Sequence, residues 1–178
     1  MRLFVAAELP EAVLEALVET QAALRDAIRG RYVAPDSLHL TLAFLGEVPA
    51  ARVDEVASAL ERACAGQAPF EVHLGTLGSF GRRRSAVLWQ SVEGGTALPA
   101  LASNVRRELE NAAFSFDEKP FLAHVTLMRA ADLTHGELPM PQMARGVLDT
   151  VTLFKSDLSG PRPVYEPLHT VTLGEAQA

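Results

Sequence analysis

The sequence predicts an α+β protein: mostly antiparallel sheet, with helices on the outer faces. Two observations lead to this class. Segments with strand and helix periodicity follow one another as strand, helix, strand, helix, two strands, helix, strand, then closing strands. The tetrapeptide His39-Leu40-Thr41-Leu42 also returns as His124-Val125-Thr126-Leu127, once in each half and each time after a helical segment. The chain therefore reads as an internal duplication whose halves set two mostly antiparallel sheets around a shared central cleft. With 178 residues, 48% of them hydrophobic, it can bury a substantial core and suits a single domain made of two fused lobes.

Each element has its own signal. Residues 2–7 read as a strand. Pro10 then opens a helix with apolar Val13, Leu14, Leu17, Val18, Ala22 and Leu24, running to near Gly30. Residues 38–45 form the first motif strand, closed by Gly46. Val53, Val56, Ala57, Leu60 and Ala63 place a 3.6-residue stripe on a helix over 51–64. Strands over 70–76 and 85–92 flank a turn, Gly78 to Arg84. Leu98, Leu101, Val105 and Leu109 mark a helix over 97–113. Strand 122–128 carries the second motif, a Pro-containing connection follows, and strands near 147–155 and 164–173 close the chain.

Composition removes several function classes. A net charge of −6 argues against broad, charge-driven nucleic-acid binding, though not against a pocket for one phosphate. The single cysteine, Cys64, offers no internal disulfide and no metal cluster, and as a helix residue it reads as a core thiol. The N-terminal apolar run is too short for a signal peptide, and no stretch reaches the ~20 apolar residues of a membrane span. A cytoplasmic, soluble protein without membrane association is expected, and nothing demands more than a monomer. Arg106-Arg107 reads as solvated surface. Arg82-Arg83-Arg84 sits in a Gly-flanked turn of the kind that reaches over a site.

The chemistry rests on two of five histidines. In a strand, residues i and i+2 share a face, so each motif points an imidazole and a hydroxyl one way and two aliphatic side chains the other. His73 lacks a hydroxyl partner, His135 lies in a polar loop, and His169 has its hydroxyls at +1 and +3, on the wrong face. Only His39 with Thr41 and His124 with Thr126 match. Two histidines without a third ligand, and with no HExxH or CxxC, fit acid–base chemistry better than a catalytic metal, so neither metal nor cofactor is expected. One neutral and one protonated imidazole can take a proton from water and give one to a departing alkoxide, while threonine hydroxyls donate to phosphate oxygens. In-line hydrolysis of a strained phosphodiester fits this set.

The duplicated HxT-hydrophobic motif resembles the signature of the 2H phosphoesterase superfamily. Flanking segments resemble its branch of RNA 2',3'-cyclic phosphodiesterases, historically called 2'-5' RNA ligases: Arg2-Leu3-Phe4-Val5-Ala6, His39 to Gly46 followed by Glu47-Val48, the Phe80–Arg84 turn before Trp89, Pro120 to Arg129, Leu153-Phe154-Lys155-Ser156, and Tyr165-Glu166. The resemblance implies two lobes with pseudo-twofold symmetry. It implies that RNA ending in a 2',3'-cyclic phosphate is hydrolysed to a 2'-phosphate, with reversible 2'-5' ligation as a secondary activity. By the same analogy His39 is the proton donor, His124 the proton acceptor, and Thr41 and Thr126 hold the phosphate. Arg129 and Phe44 match positions near the family's nucleotide site, and Arg82 and Arg84 are further candidates for substrate binding.

Strict alternation sets Arg129 on the core side of its strand. Either the strand ends or twists before it, or Arg129 is only a surface residue. Phe44 is open to a core reading and a base-stacking one. Where the family often carries a proline just before the second histidine, this chain has Leu122-Ala123. Two alternatives also stand: the acidic balance motivates the same chemistry on a small cyclic-phosphate nucleotide, and the arginine turn motivates a non-catalytic module that binds RNA ends.

Overall fold

The computed structural model describes residues 1–174 and contains the strands β1 (Arg2–Ala7), β2 (Arg31–Tyr32), β3 (Leu40–Glu47), β4 (Phe70–Phe80), β5 (Ala86–Glu93), β6 (His124–Ala131), β7 (Arg145–Leu148), β8 (Thr150–Asp157) and β9 (Val164–Thr172). Three helices accompany them: α1 (Glu11–Arg25), α2 (Val53–Cys64) and α3 (Ala97–Asn111). The α+β class and the outward helices are as the sequence predicts. All strand pairings are antiparallel, in the order β7-β4-β5-β6-β3-β1-β8-β9, with β2 added beside β6.

This order has a centre. Four strands, β7-β4-β5-β6, meet four others, β3-β1-β8-β9, through one ladder pair, Leu40 opposite Val125. The two expected sheets are thus joined at the middle of the duplicated motif. Connectivity curls the result. Leu148 ends β7 and Thr150 starts β8, so only Asp149 separates the strand at one end of the order from the strand next to the other end. A single residue spans at most ~3.6 Å. The sheet must bend round until those ends come together, which makes it a strongly curled half-barrel.

The core fills the space between the sheet's outer face and the helices. It takes Leu3, Val5, Leu40, Leu88, Val125 and Leu153 from the sheet, Leu17 and Leu24 from α1, and Leu60, Leu101 and Leu109 from α2 and α3, all essentially without solvent exposure. Burying each such side chain contributes about 1.5–3 kcal/mol before the entropy cost of ordering it.

Several expected boundaries shift for local reasons. α1 stops at Arg25, because Ala27 and Ile28 turn their amides back to the Leu24 carbonyl. Val18 is exposed, and its expected place on the buried face is taken by polar Thr20 and Gln21. The Gln21 amide donates to the carbonyls of Val33 and Leu127, and Thr20 Oγ1 accepts from the Gln142 amide, so both polar groups tie α1 to the sheet. A 3-10 turn, Ala50–Arg52, precedes α2. β4 runs on to Phe80, which shortens the arginine turn to residues 81–85, with Gly81 at φ 83°. The segment expected as one strand over 147–155 is two strands serving opposite ends of the sheet.

Candidate active site

Both motif strands carry the same irregularity, and it decides what faces the cleft. On β3, Ala6 pairs with Thr41 but Val5 pairs with Ala43, so Leu42 is an extra residue. On β6, Trp89 pairs with Thr126 but Leu88 pairs with Met128, so Leu127 is extra. A bulge of this kind inverts the alternation beyond it. Leu42 and Ala43 are consequently both buried, as are Leu127 and Met128. Phe44 and Arg129 then return to the face of Thr41 and Thr126. Alternation alone put Arg129 on the core side; the bulge reverses that, and its side chain is exposed.

The junction register brings the motif groups together. In an antiparallel ladder with Leu40 opposite Val125, the next positions set His39 across from Thr126 and Thr41 across from His124. Directly opposed side chains lie about 4.5–5.5 Å apart at Cβ. All four occupy the face opposite Leu40 and Val125, and all are half-buried.

Each imidazole is oriented by its own chain. His39 Nδ1 lies 2.7 Å from the Ser37 carbonyl, and His124 Nδ1 lies 2.6 Å from the Leu122 carbonyl, two residues back in both cases. A carbonyl only accepts, so Nδ1 carries the hydrogen and Nε2 keeps its lone pair. Leu122-Ala123, which stands where the family often has proline, supplies this tether.

Aromatic rings support both histidines. Phe4 lies 4.8 Å from the His39 ring centroid, and Tyr165 meets it edge-on at 5.1 Å. Phe80 meets the His124 ring edge-on at 5.2 Å, with Trp89 at 5.7 Å. The His39 imidazole titrates below its ordinary range. Burial is the main cause, opposed in part by the Ser37 hydrogen bond and reinforced by the positive charge of Arg129 and by His124. That coupling puts Arg129 and His124 within electrostatic reach of His39.

The other candidates take separate places. Phe44 is half-buried, pairs with Phe4 across the β1–β3 ladder, and has the Arg2 guanidinium 4.7 Å over its ring. Arg82 and Arg84 are exposed in the β4–β5 turn, whose Arg83 donates to the Leu133 carbonyl and so holds the turn against the end of β6. Arg106 is not plain surface: it donates to the carbonyls of Leu42 and Lys119 and fixes the loop before β6 to β3. Cys64 is a core thiol, pushed up to about 12 by burial.

His73 pairs with Glu93 at 3.1 Å, His169 stands 3.0 Å from Glu61 of α2, and His135 is exposed in its loop. Among the described residues no three His, Cys, Asp or Glu side chains converge in a metal-binding group. None of the described helices is long and apolar enough to cross a membrane. A cavity of about 280 Å³ opens beside His39, lined in part by Phe4, Glu8, Phe154 and Tyr165.

Sequence reasoning missed these aromatic supports as site residues. It also left β2 unread, because a two-residue strand is too short to show any periodicity.

A curled antiparallel sheet presenting two imidazole–hydroxyl pairs on one face is the architecture of a phosphoesterase. The comparisons agree with that class. The family model described as LigT like Phosphoesterase matches residues 7–89. The chain is 34% identical over 169 residues to the RNA 2',3'-cyclic phosphodiesterase of Escherichia coli (strain K12), covering 94% of this chain and 93% of that one. Its fold is similar to that of TT0787 from Thermus thermophilus, with a TM-score of 0.83, 32% identity, and coverage of 97% of this chain and 98% of that one. It is also similar to the Escherichia coli LigT complexed with 3'-AMP, with a TM-score of 0.82, 30% identity and 98% of each chain covered. The chain belongs to the LigT-like phosphoesterase family.

Proposed function

We propose that the chain hydrolyses RNA 2',3'-cyclic phosphate ends to 2'-phosphate ends by a two-histidine mechanism that needs no metal. The observation that carries this reading is the junction register, which sets His39, Thr126, Thr41 and His124 around one spot on the cleft face. The relatives named RNA 2',3'-cyclic phosphodiesterase support the substrate class, and the LigT complexed with 3'-AMP supports a nucleotide in this fold.

In the proposed step, His124 Nε2 takes a proton from water as its oxygen attacks phosphorus. The bond from phosphorus to the 3'-oxygen breaks, and His39 Nε2–H protonates that oxygen. Thr41 and Thr126 donate to the non-bridging oxygens as charge builds there. The free protein holds His39 towards neutrality, which suits a base better than an acid. The negative charge of a bound phosphodiester opposes this shift and favours the imidazolium that the donor role requires. Ligation to a 2'-5' linkage is the same step with a 5'-hydroxyl in place of water: its oxygen attacks phosphorus, His124 takes its proton, and the 3'-oxygen leaves with the proton from His39. The chain would work as one unit of two related halves, and nothing in the step needs a second copy.

The test is incubation with an oligoribonucleotide ending in a 2',3'-cyclic phosphate, in the presence of chelator. A 2'-phosphate product is expected. No product, or product only with added metal, overturns the reading, and binding without turnover would favour an RNA-end-binding module. The acidic net charge motivates the second reading, a small cyclic-phosphate nucleotide as substrate, and a side-by-side substrate panel separates the two.

A further inference from the structure

We propose that Arg106 is a positioning residue for His124: by holding the Lys119 carbonyl it sets the Leu122 carbonyl, which keeps the hydrogen of that imidazole on Nδ1. The inference rests on the hydrolase reading above, in which His124 Nε2 must keep its lone pair for water.

A clamp is needed where the two halves of the sheet part. Leu40 and Val125 are their one ladder pair among the described residues. Continuing that register would set Leu42 opposite Ala123 and Phe44 opposite Phe121, but β6 begins only at His124, and the residues before it form a loop. The Phe44 carbonyl accepts from the Asp117 amide of this loop, and the Leu42 carbonyl accepts from Arg106 Nε at 3.2 Å. The half-buried Arg106 reaches across from α3, and the other arm of its guanidinium donates to the Lys119 carbonyl at 2.8 Å. The Phe116 and Phe121 rings lie 5.8 and 5.7 Å away, within range of cation–π attraction. One planar fork thus joins the bulge residue of the first motif to the loop that enters the second.

That loop has little else to hold it. Apart from the His124 tether, the Arg106 bond is the one hydrogen bond among the described residues that reaches residues 118–122 from outside the loop. Leu122 is 45% exposed, and a cavity of about 490 Å³ opens beside it, lined in part by Arg106, Phe121, Leu122 and Ala123. Packing therefore does not fix the Leu122 carbonyl. It is held from both sides along the chain: the Ala123 carbonyl accepts from the Val92 amide, and Arg106 holds Lys119.

Without the Arg106 bond, Leu122 can swing towards the cavity, and His124 Nδ1 loses the acceptor that lies 2.6 Å from it. The imidazole hydrogen is then free to sit on Nε2, which leaves no lone pair there to take a proton from water. His39 provides an internal contrast. Its tether is the Ser37 carbonyl, in the 3-10 turn Pro35–Ser37, and Arg106 makes no bond to that turn.

The experiment uses three variants, each studied below its melting temperature. Arg106→Met keeps an apolar stem against the rings and removes every donor. Arg106→Lys keeps the charge without the planar fork, and Arg107→Met alters the exposed neighbour. NMR of the imidazole nitrogens at alkaline pH reads the tautomers, and wild type is expected to show Nδ1–H on both His39 and His124. In Arg106→Met, His124 should drift to a mixture of tautomers while His39 keeps its own. The kcat for an oligoribonucleotide 2',3'-cyclic phosphate should fall about ten- to hundredfold, with KM changed by less than about twofold. Arg106→Lys should show both effects in part, and it carries the decision if Arg106→Met does not fold. Arg107→Met should show neither. An unchanged His124 tautomer overturns the proposal even if the melting temperature falls, and so does a loss confined to KM. If the wild-type protein hydrolyses nothing, the hydrolase reading falls, while the His124 tautomer still decides whether Arg106 positions the ring.

Discussion

Leu40 and Val125 face each other as the one ladder pair between β3 and β6 among the described residues, and each is the middle residue of its motif's His-x-Thr. The contact between the sheet halves therefore lies in the core directly beneath the two imidazoles. Because the strands run antiparallel, each histidine lies across from the other motif's threonine rather than from the other histidine. On the proposed reading, a phosphate above this point meets a hydroxyl and an imidazole from both halves.

Loss of either imidazole should remove most of the rate. His39→Ala and His124→Ala are each expected to lower kcat/KM for a cyclic-phosphate end by about 10²–10⁴-fold. The double variant should lose far less than the product of the two, since the groups act in one step. Kinetics on all three variants, with thermal melts close to wild type, would check this; a fully additive double loss would contradict it.

The hydroxyls should make a smaller and more even contribution. Thr41→Val and Thr126→Val keep shape and remove one donor each. A hydrogen bond to a charged group is worth about 1.5–3 kcal/mol, so roughly a ten- to hundredfold loss in kcat/KM is expected from either. A change in one alone would mean that the two halves do not share the phosphate.

Acid should weaken the fold partly through His39. Its folded-state pKa lies below the ordinary imidazole value, with burial the main cause. The unfolded chain therefore takes up the proton first. The stabilisation is fully present above the unfolded value, about 6.5, and is lost as pH falls from there towards the folded value. Melting temperature measured from pH 7.5 down to 5 should fall more steeply for wild type than for His39→Asn. Parallel slopes would show that burial of this ring carries no such cost.

A glycine on β4 sets the His124 support. A Cβ at Gly78 would stand 2.2 Å from the Trp89 indole, which lies across it in the ladder and beside the His124 ring. Gly78→Ala should displace the indole, lower the melting temperature and reduce kcat together. Unchanged kinetics alongside a lowered melting temperature would limit Trp89 to a structural part.

Most of the site's composition was legible in the sequence, because a strand's two-residue period places His39 with Thr41 and His124 with Thr126 without further information. The helices were legible for a similar reason: the stripes on α2 and α3 follow a period of 3.6. The features that stayed hidden depend on non-local pairing. Nothing in Leu127-Met128 announces that both turn inward, so the orientation of Arg129 required the register with β5. The Ser37 and Leu122 carbonyl tethers are backbone contacts, which side-chain patterns do not report. Asp149 parts two strands within one apolar run, and only the paired partners, β4 and β1, reveal the break.

The twin bulges make residue spacing itself a determinant of stability. Deleting Leu127 would close the bulge, leave Met128 as the next core residue and keep Arg129 on the cleft face, now two places from Thr126. Deleting Leu42 would do the same for Phe44. A single-codon deletion at either of two equivalent places should thus preserve the order of side chains along the cleft and cost stability instead, through the loss of one buried leucine in each case.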